Sequence, residues 1–184
     1  MAAYVKFMEA SGARVVPLIW NEPDEVLFEK LSKLNGVLFP GGDGDYVEYG
    51  RKIINKLIEY NDNGIFYPAM GICLGFENMH IWASDAGVDI LADRQAHAIS
   101  LPLEFVVDPS ESKVFAGMGA EAYIFEDEAI ALNSHSWGVD PESYSSDASL
   151  GKFYKMTSLS YEPEISGRPF STSIEAYNYP FFGT

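Results

Sequence analysis

The chain has 184 residues and a formal net charge of −15; 47% of its residues are hydrophobic and 14% aromatic. That length and composition fit one globular domain with a substantial core rather than a disordered chain, and such acidity excludes nucleic acid, whose phosphates need clustered Lys and Arg. A single cysteine rules out an intramolecular disulfide and leaves the redox compartment open, and no apolar run reaches the length of a membrane span.

Residues 1–10 lack a basic stretch followed by a continuous apolar one, so no secretory signal is read. Taken as a helix, they place Tyr4, Phe7, Met8 and Ser11 on one side, with Gly12 as the stop. Residues 14–19 form a β-type run in which Pro17 marks a strand end or edge. Pro23 with Asp24 and Glu25 opens a helix carrying Leu27, Leu31 and Leu34 at helical spacing. The buried strand Val37–Phe39 then runs into Pro40-Gly41-Gly42, a corner that leaves bare backbone N–H groups facing outward. A helix over 46–61 follows, with Val47, Ile54, Leu57 and Ile58 inward.

Residues 65–77 carry the strongest chemical pattern. An apolar strand meets a sharp turn, with Cys73 between Gly71 and Gly75, and then a helix. G-x-C-x-G between strand and helix is the thiol counterpart of a nucleophile elbow. Neighbours without Cβ atoms let the chain fold back tightly, and the helix N-terminus aimed at the sulfur favours thiolate. A lone cysteine among apolar residues is equally the pattern of a small buried hydrophobe, and the residues alone leave both readings open. Phe76, Met79, His80 and Ala83 form the inward stripe of the next helix, so His80 reads as packed there. The order so far predicts a mostly parallel sheet covered on both faces.

The second half is less regular. A strand is expected over 99–107, short helical pieces over 113–125, and a polar strand exit at Asn133-Ser134-His135-Ser136-Trp137. Residues 140–151, rich in Ser, Asp and Pro, read as a surface loop, and strands are expected over 153–159, 170–177 and from 179. His97 falls in a region read as a solvated loop. The histidines at 80, 97 and 135 show no ligand spacing and the cysteine has no C-x-x-C partner, so no metal site is read. Gly41-Gly42-Asp43-Gly44 lacks the G-K-[ST] of a phosphate loop.

Three blocks resemble the γ-glutamyl hydrolases, folate-polyglutamate-cleaving members of the class I glutamine amidotransferase-like superfamily. They are residues 2–17 (AAYVKF through GARVVP), 35–42 (NGVLFPGG) and 71–77 (GICLGFE); the stretches 133–137 and 175–183 agree less strongly. The resemblance spans essentially the whole chain. It implies a flavodoxin-like three-layer α/β/α sandwich and a cysteine-type peptidase acting through a thioester acyl-enzyme on pteroyl poly-γ-glutamates, a small-molecule substrate, with no cofactor. Carried over by position, Cys73 is the nucleophile, the N–H groups of Leu74 and of Gly41 or Gly42 form the oxyanion hole, and His135 and Glu77 line the substrate pocket. The family's Q-x-H-P-E block, which supplies the general base, is expected just after Thr184, and the family's first strand before Ala2. Residues 1–184 are therefore expected to form a single, partial domain. A homodimer or larger assembly stays open, and the resemblance implies a lysosomal, vacuolar or secreted setting. Two other readings remain: a catalytically silent homologue that binds a γ-glutamyl ligand or plays a structural part in an assembly, and a glutamine amidotransferase domain.

Overall fold

A computed structural model describes residues 2–162 and 167–184. In chain order the first half contains α1 (Ala2–Ala10), α2 (Asp24–Leu31), β1 (Val37–Phe39), α3 (Val47–Asp62), β2 (Ala69–Gly71) and α4 (Leu74–Ala83). The second half contains β3 (Leu91–Leu101), β4 (Glu104–Phe105), α5 (Ile124–Asp127), β5 (Ala131–Val139), α6 (Ser143–Ser146), α7 (Ala148–Phe153), β6 (Tyr154–Tyr161), β7 (Pro169–Ala176) and β8 (Phe181–Gly183).

A six-stranded sheet runs in the order β1-β2-β8-β7-β6-β4, and β3 and β5 form a separate two-stranded ribbon. The pairs β1–β2 and β2–β8 are parallel, whereas β8–β7, β7–β6 and β6–β4 are antiparallel. The parallel arrangement expected from the sequence thus holds for the strands around the elbow, and the far side of the sheet departs from it. The connections decide this. Parallel neighbours need a long crossover, which α3 supplies between β1 and β2; residues 177–180, joining β7 to β8, can only reverse the chain.

The core lies where the helices meet the sheet. Leu27 and Leu31 of α2, Ile53, Ile54 and Leu57 of α3, and Met79 of α4 pack with Phe39, Ala69, Ile174 and Phe181 of the strands. A fully buried Leu of this kind stabilises the fold by roughly 1.5–3 kcal/mol. On α3, Gly50 is required by a close approach: a Cβ there would fall 2.3 Å from the Trp82 ring on α4. The elbow helix is pinned from within. His80, fully buried, donates from Nδ1 to the Phe76 carbonyl (2.8 Å) and accepts at Nε2 from the Tyr144 hydroxyl (2.6 Å). Tyr144 in turn accepts from Ser171 of β7 (2.8 Å). The ribbon rests on β7 through a smaller cluster of Ala96, Leu101 and Phe170.

Four stretches differ from the sequence reading. Residues 99–107, expected as one strand, hold the end of β3 and the separate β4. Residues 14–19 join no ladder and leave Val15, Val16 and Ile19 exposed, and α1 buries none of its apolar stripe. Residues 140–151, read as a loop, hold α6 and the start of α7; the Asp147 carboxylate caps α7 by accepting from the Ser149 and Leu150 N–H groups, and Leu150 is fully buried. His97 stands on β3 rather than in a loop.

Candidate active site

Cys73 sits between β2 and α4 with φ 55° and ψ −115°, a backbone conformation that non-glycine residues avoid. The elbow is over-determined by its neighbours. Ile72 donates its N–H to the Phe39 carbonyl (3.0 Å), Cys73 donates its own to the Thr184 carbonyl (3.0 Å), and Thr184 returns one to Gly71 (2.9 Å). The two glycines of the motif are needed for contact. A Cβ on Gly75 would fall 2.1 Å from the Phe39 carbonyl oxygen, and one on Gly71 would fall 2.5 Å from the Met79 sulfur. The start of α4 is therefore pressed against the end of β1, and the thiol is left exposed.

The Pro-Gly-Gly corner after β1 closes over the same atoms. A Cβ on Gly41 would fall 2.6 Å from Cys73 Cβ and 2.4 Å from the Tyr4 hydroxyl. Tyr46, at the head of α3, holds the corner by donating its hydroxyl to the Pro40 carbonyl (2.7 Å). Burial is the main cause raising the Tyr46 phenol, and the Cys73 and Tyr4 side chains add to it. Leu74 is the first residue of α4, and its N–H makes no backbone hydrogen bond among the described residues.

A cleft of about 480 Å³ opens in front of the sulfur, with Gly42, Leu74 and Glu77 on one wall and His97, His135 and Trp137 on the other. It brings together the sequence-predicted Cys73, Leu74, Gly42, Glu77 and His135, while Gly41 lies against Cys73 just behind it. Glu77 is half-buried one turn into α4, and burial pushes its carboxyl up to about 7. His135 faces an acceptor at both ring nitrogens: the Arg94 carbonyl at Nδ1 and Asn133 Oδ1 at Nε2, each at 3.2 Å. Its ring packs edge-on against Phe170, with centroids 4.9 Å apart. Burial, the largest effect, holds this imidazole below its ordinary range, against the opposing pull of the Arg94 and Trp137 backbone.

Sequence reasoning missed three groups here. Tyr4 belongs to an apolar helical stripe that reads as core, and only the contact with Gly41 reveals its position. Tyr46 reads as a helix boundary. Trp137, 52% exposed, stands near the predicted histidine on β5 and lines the cleft. No Lys or Arg is among the described residues lining it; the ionisable ones are Asp43, Cys73, Glu77, His97 and His135.

This arrangement has relatives. "Gamma-glutamyl hydrolase 1" of Arabidopsis thaliana is 36% identical over 99% of this chain and 53% of its own length. "Gamma-glutamyl hydrolase B" of Dictyostelium discoideum is 33% identical over 99% and 54%, and "Gamma-glutamyl hydrolase" of Homo sapiens 31% over 99% and 58%. The chain spans about half the length of the curated relatives it matches. A solved structure from Thermoplasma acidophilum, assigned as a candidate GMP synthase component, shares the fold: the TM-score is 0.52 over 85% of this chain and 64% of that one, at 13% identity. Residues 3–165 match the family described as "Glutamine amidotransferase class-I". With its cysteine elbow and α/β sheet, and that match over most of its length, the chain belongs to the class-I glutamine amidotransferase family, on a branch similar to the γ-glutamyl hydrolases.

Proposed function

We propose that this chain carries the nucleophilic half of a cysteine-dependent hydrolase that cleaves γ-glutamyl bonds in pteroyl poly-γ-glutamates. The observation that carries the reading is the elbow: Cys73 held at positive φ at the head of α4, with the Gly41 corner packed on its Cβ. The chemistry follows from that geometry. The Cys73 thiolate adds to the γ-carbonyl carbon of the substrate, and the oxygen takes up the electron pair. The N–H groups of Leu74 and of Gly41 or Gly42 receive that oxyanion. Collapse expels the amine of the departing glutamate, which takes a proton, and leaves a γ-glutamyl thioester that water hydrolyses.

The proton carrier is a histidine expected after Thr184. Thr184 is bonded to both Cys73 and Gly71, so in a longer chain the next residues would begin beside the nucleophile. His80 and His135 are poorly suited to the task, because both nitrogens of each ring already face partners. Glu77 and His135 are assigned to the substrate pocket. Among the described residues, no helix is long and apolar enough to cross a membrane; a lysosomal, vacuolar or secreted setting belongs to this proposal on the resemblance alone.

The test uses a form of the protein extended past Thr184 to include that histidine, and measures glutamate release from pteroyl-γ-triglutamate together with covalent labelling of Cys73 by an electrophilic glutamine analogue. Cys73→Ala is expected to abolish both; turnover close to that of the unaltered protein would refute the assignment. Ammonia release from glutamine, with γ-triglutamate left intact, would instead identify an amidotransferase domain. Labelling without turnover of either substrate would identify a silent homologue.

A further inference from the structure

Among the described residues, His97 is the one imidazole of the cleft with a ring nitrogen to spare, and the local fold has aimed it there. Between Asp93 and Ile99 the β3–β5 register slips twice: Asp93 faces Trp137, Ala96 faces His135 and Ile99 faces Asn133. Each step uses three residues of β3 against two of β5, so β3 carries two bulges in succession. Ala98, at φ 48°, absorbs the second. Bulges re-aim side chains next to functional sites, and a non-glycine residue in the left-handed region persists only where its surroundings impose it. Here the result is that His97 and Ala98 both face outward, and the His97 ring lines the cleft shared with Cys73.

Alternate residues of β3 then fix the state of that ring. The Gln95 amide donates from Nε2 to Asp93 Oδ1 (2.5 Å), which turns its carbonyl oxygen toward His97. His97 meets that oxygen through Nε2 at 2.5 Å, so in the neutral ring Nε2 carries the proton and Nδ1 is left without a hydrogen-bond partner among the described residues. When neutral, the ring offers a lone pair at Nδ1; when protonated, it offers a charged N–H. The cleft is otherwise short of cations. Asp43 faces it from the loop after β1, Cys73 from the elbow, Glu77 from α4 and His135 from β5; around β3, Asp93 holds Gln95, Arg94 pairs with Asp140, and Glu162, which accepts from the Gln95 N–H, pairs with Arg168. The imidazole of His135 has an acceptor opposite each nitrogen, so its one N–H is already directed away from a ligand. A γ-linked glutamate chain carries a free α-carboxylate on each residue and needs a charged donor to replace its water.

We propose that His97, held by the Asp93–Gln95 relay, is the specificity residue that recognises an α-carboxylate of the γ-glutamyl chain, through the Nδ1–H of its imidazolium. This rests on the γ-glutamyl reading given above. Recognition is coupled to protonation, because the neutral ring turns a lone pair toward the carboxylate. His97 positions substrate in this scheme and takes no part in activating Cys73.

The experiment uses the full 184-residue chain with Cys73→Ser, so that binding is read without turnover. Calorimetric titration with γ-triglutamate is run at pH about 5 and about 8. His97→Asn keeps a neutral amide donor near the ring's position; it is expected to weaken binding about tenfold at the lower pH and to bind at least as tightly as the unaltered residue at the higher. Gln95→Glu places a carboxylate beside the ring and is expected to carry tight binding to higher pH, a gain that a merely structural role would not produce. Equal affinities for His97→Asn and the unaltered residue at both pH values, with γ-triglutamate still bound, would overturn this inference alone. A loss of the same size at both pH values would overturn it too. Failure of the unaltered chain to bind γ-triglutamate at either pH would overturn the γ-glutamyl reading and this inference with it.

Discussion

His80 should make the elbow helix sensitive to acid, and the effect can be isolated. Complete burial is the main cause that pushes its imidazole down to about 4, from an ordinary value near 6.5. The folded protein therefore binds this proton less readily than the unfolded chain, so the stability His80 confers is present at neutral pH and is lost as the pH falls from about 6.5 through about 4. At about 1.4 kcal/mol per pH unit, acidification to pH 4 costs about 3 kcal/mol, a large share of the ~5–15 kcal/mol typical of a folded domain. Glu77 runs the other way. Its raised carboxyl favours the folded state below about 4.5, and that contribution fades as the pH rises through about 7. The total pH dependence thus mixes opposing parts, and the comparison must be with a chain lacking only His80. His80→Leu removes the titrating ring but leaves Tyr144 bonded to Ser171. At pH 7 the variant should be about 1 kcal/mol less stable, through lost hydrogen bonding; at pH 4 the order should invert. Urea titrations followed by tryptophan fluorescence at both pH values measure the difference, and parallel stability curves for the two proteins would refute the reasoning.

Two further outcomes follow from the site. Glu77→Gln cannot ionise, so the decline of γ-triglutamate affinity on raising the pH past about 7 should weaken, leaving the variant the tighter binder at alkaline pH; an unchanged profile would remove Glu77 from the pocket. Gly75→Ala forces a Cβ to 2.1 Å from the Phe39 carbonyl. It should cost roughly 1–3 kcal/mol by overpacking, read as a lower urea midpoint, and it should also reduce labelling of Cys73.

The stretch from α2 to α4 was readable because its signals are local. Gly71, Cys73 and Gly75 encode a tight turn, Leu27, Leu31 and Leu57 encode helix faces, and all lie within a few residues of what they determine. The β3–β5 ribbon was only half visible. Its register depends on two bulges that no residue type announces, and this is why His97 read as a loop residue. The misreading of 140–151 has a simpler cause: its Ser and Asp content reads as loop, yet Asp147 is a helix cap. Within the site, residues next to a motif could be named in advance. Tyr4, brought to Gly41 from far along the chain, could not, because the contact exists only after α1 has docked.

The cleft is built from two pieces under unequal constraint. Cys73, Leu74 and Glu77 belong to an elbow locked between β1, β2 and β8, where a single methyl group at Gly75 would collide with main chain. His97, His135 and Trp137 belong to a two-stranded ribbon outside the main sheet, joined to it through Phe170 at one end and through Val139 and Leu91 in the main core at the other. Substitutions in the ribbon's outward positions leave the elbow's packing untouched. The cleft wall formed by β3 and β5 therefore has room to diverge residue by residue, while the elbow stays under steric constraint.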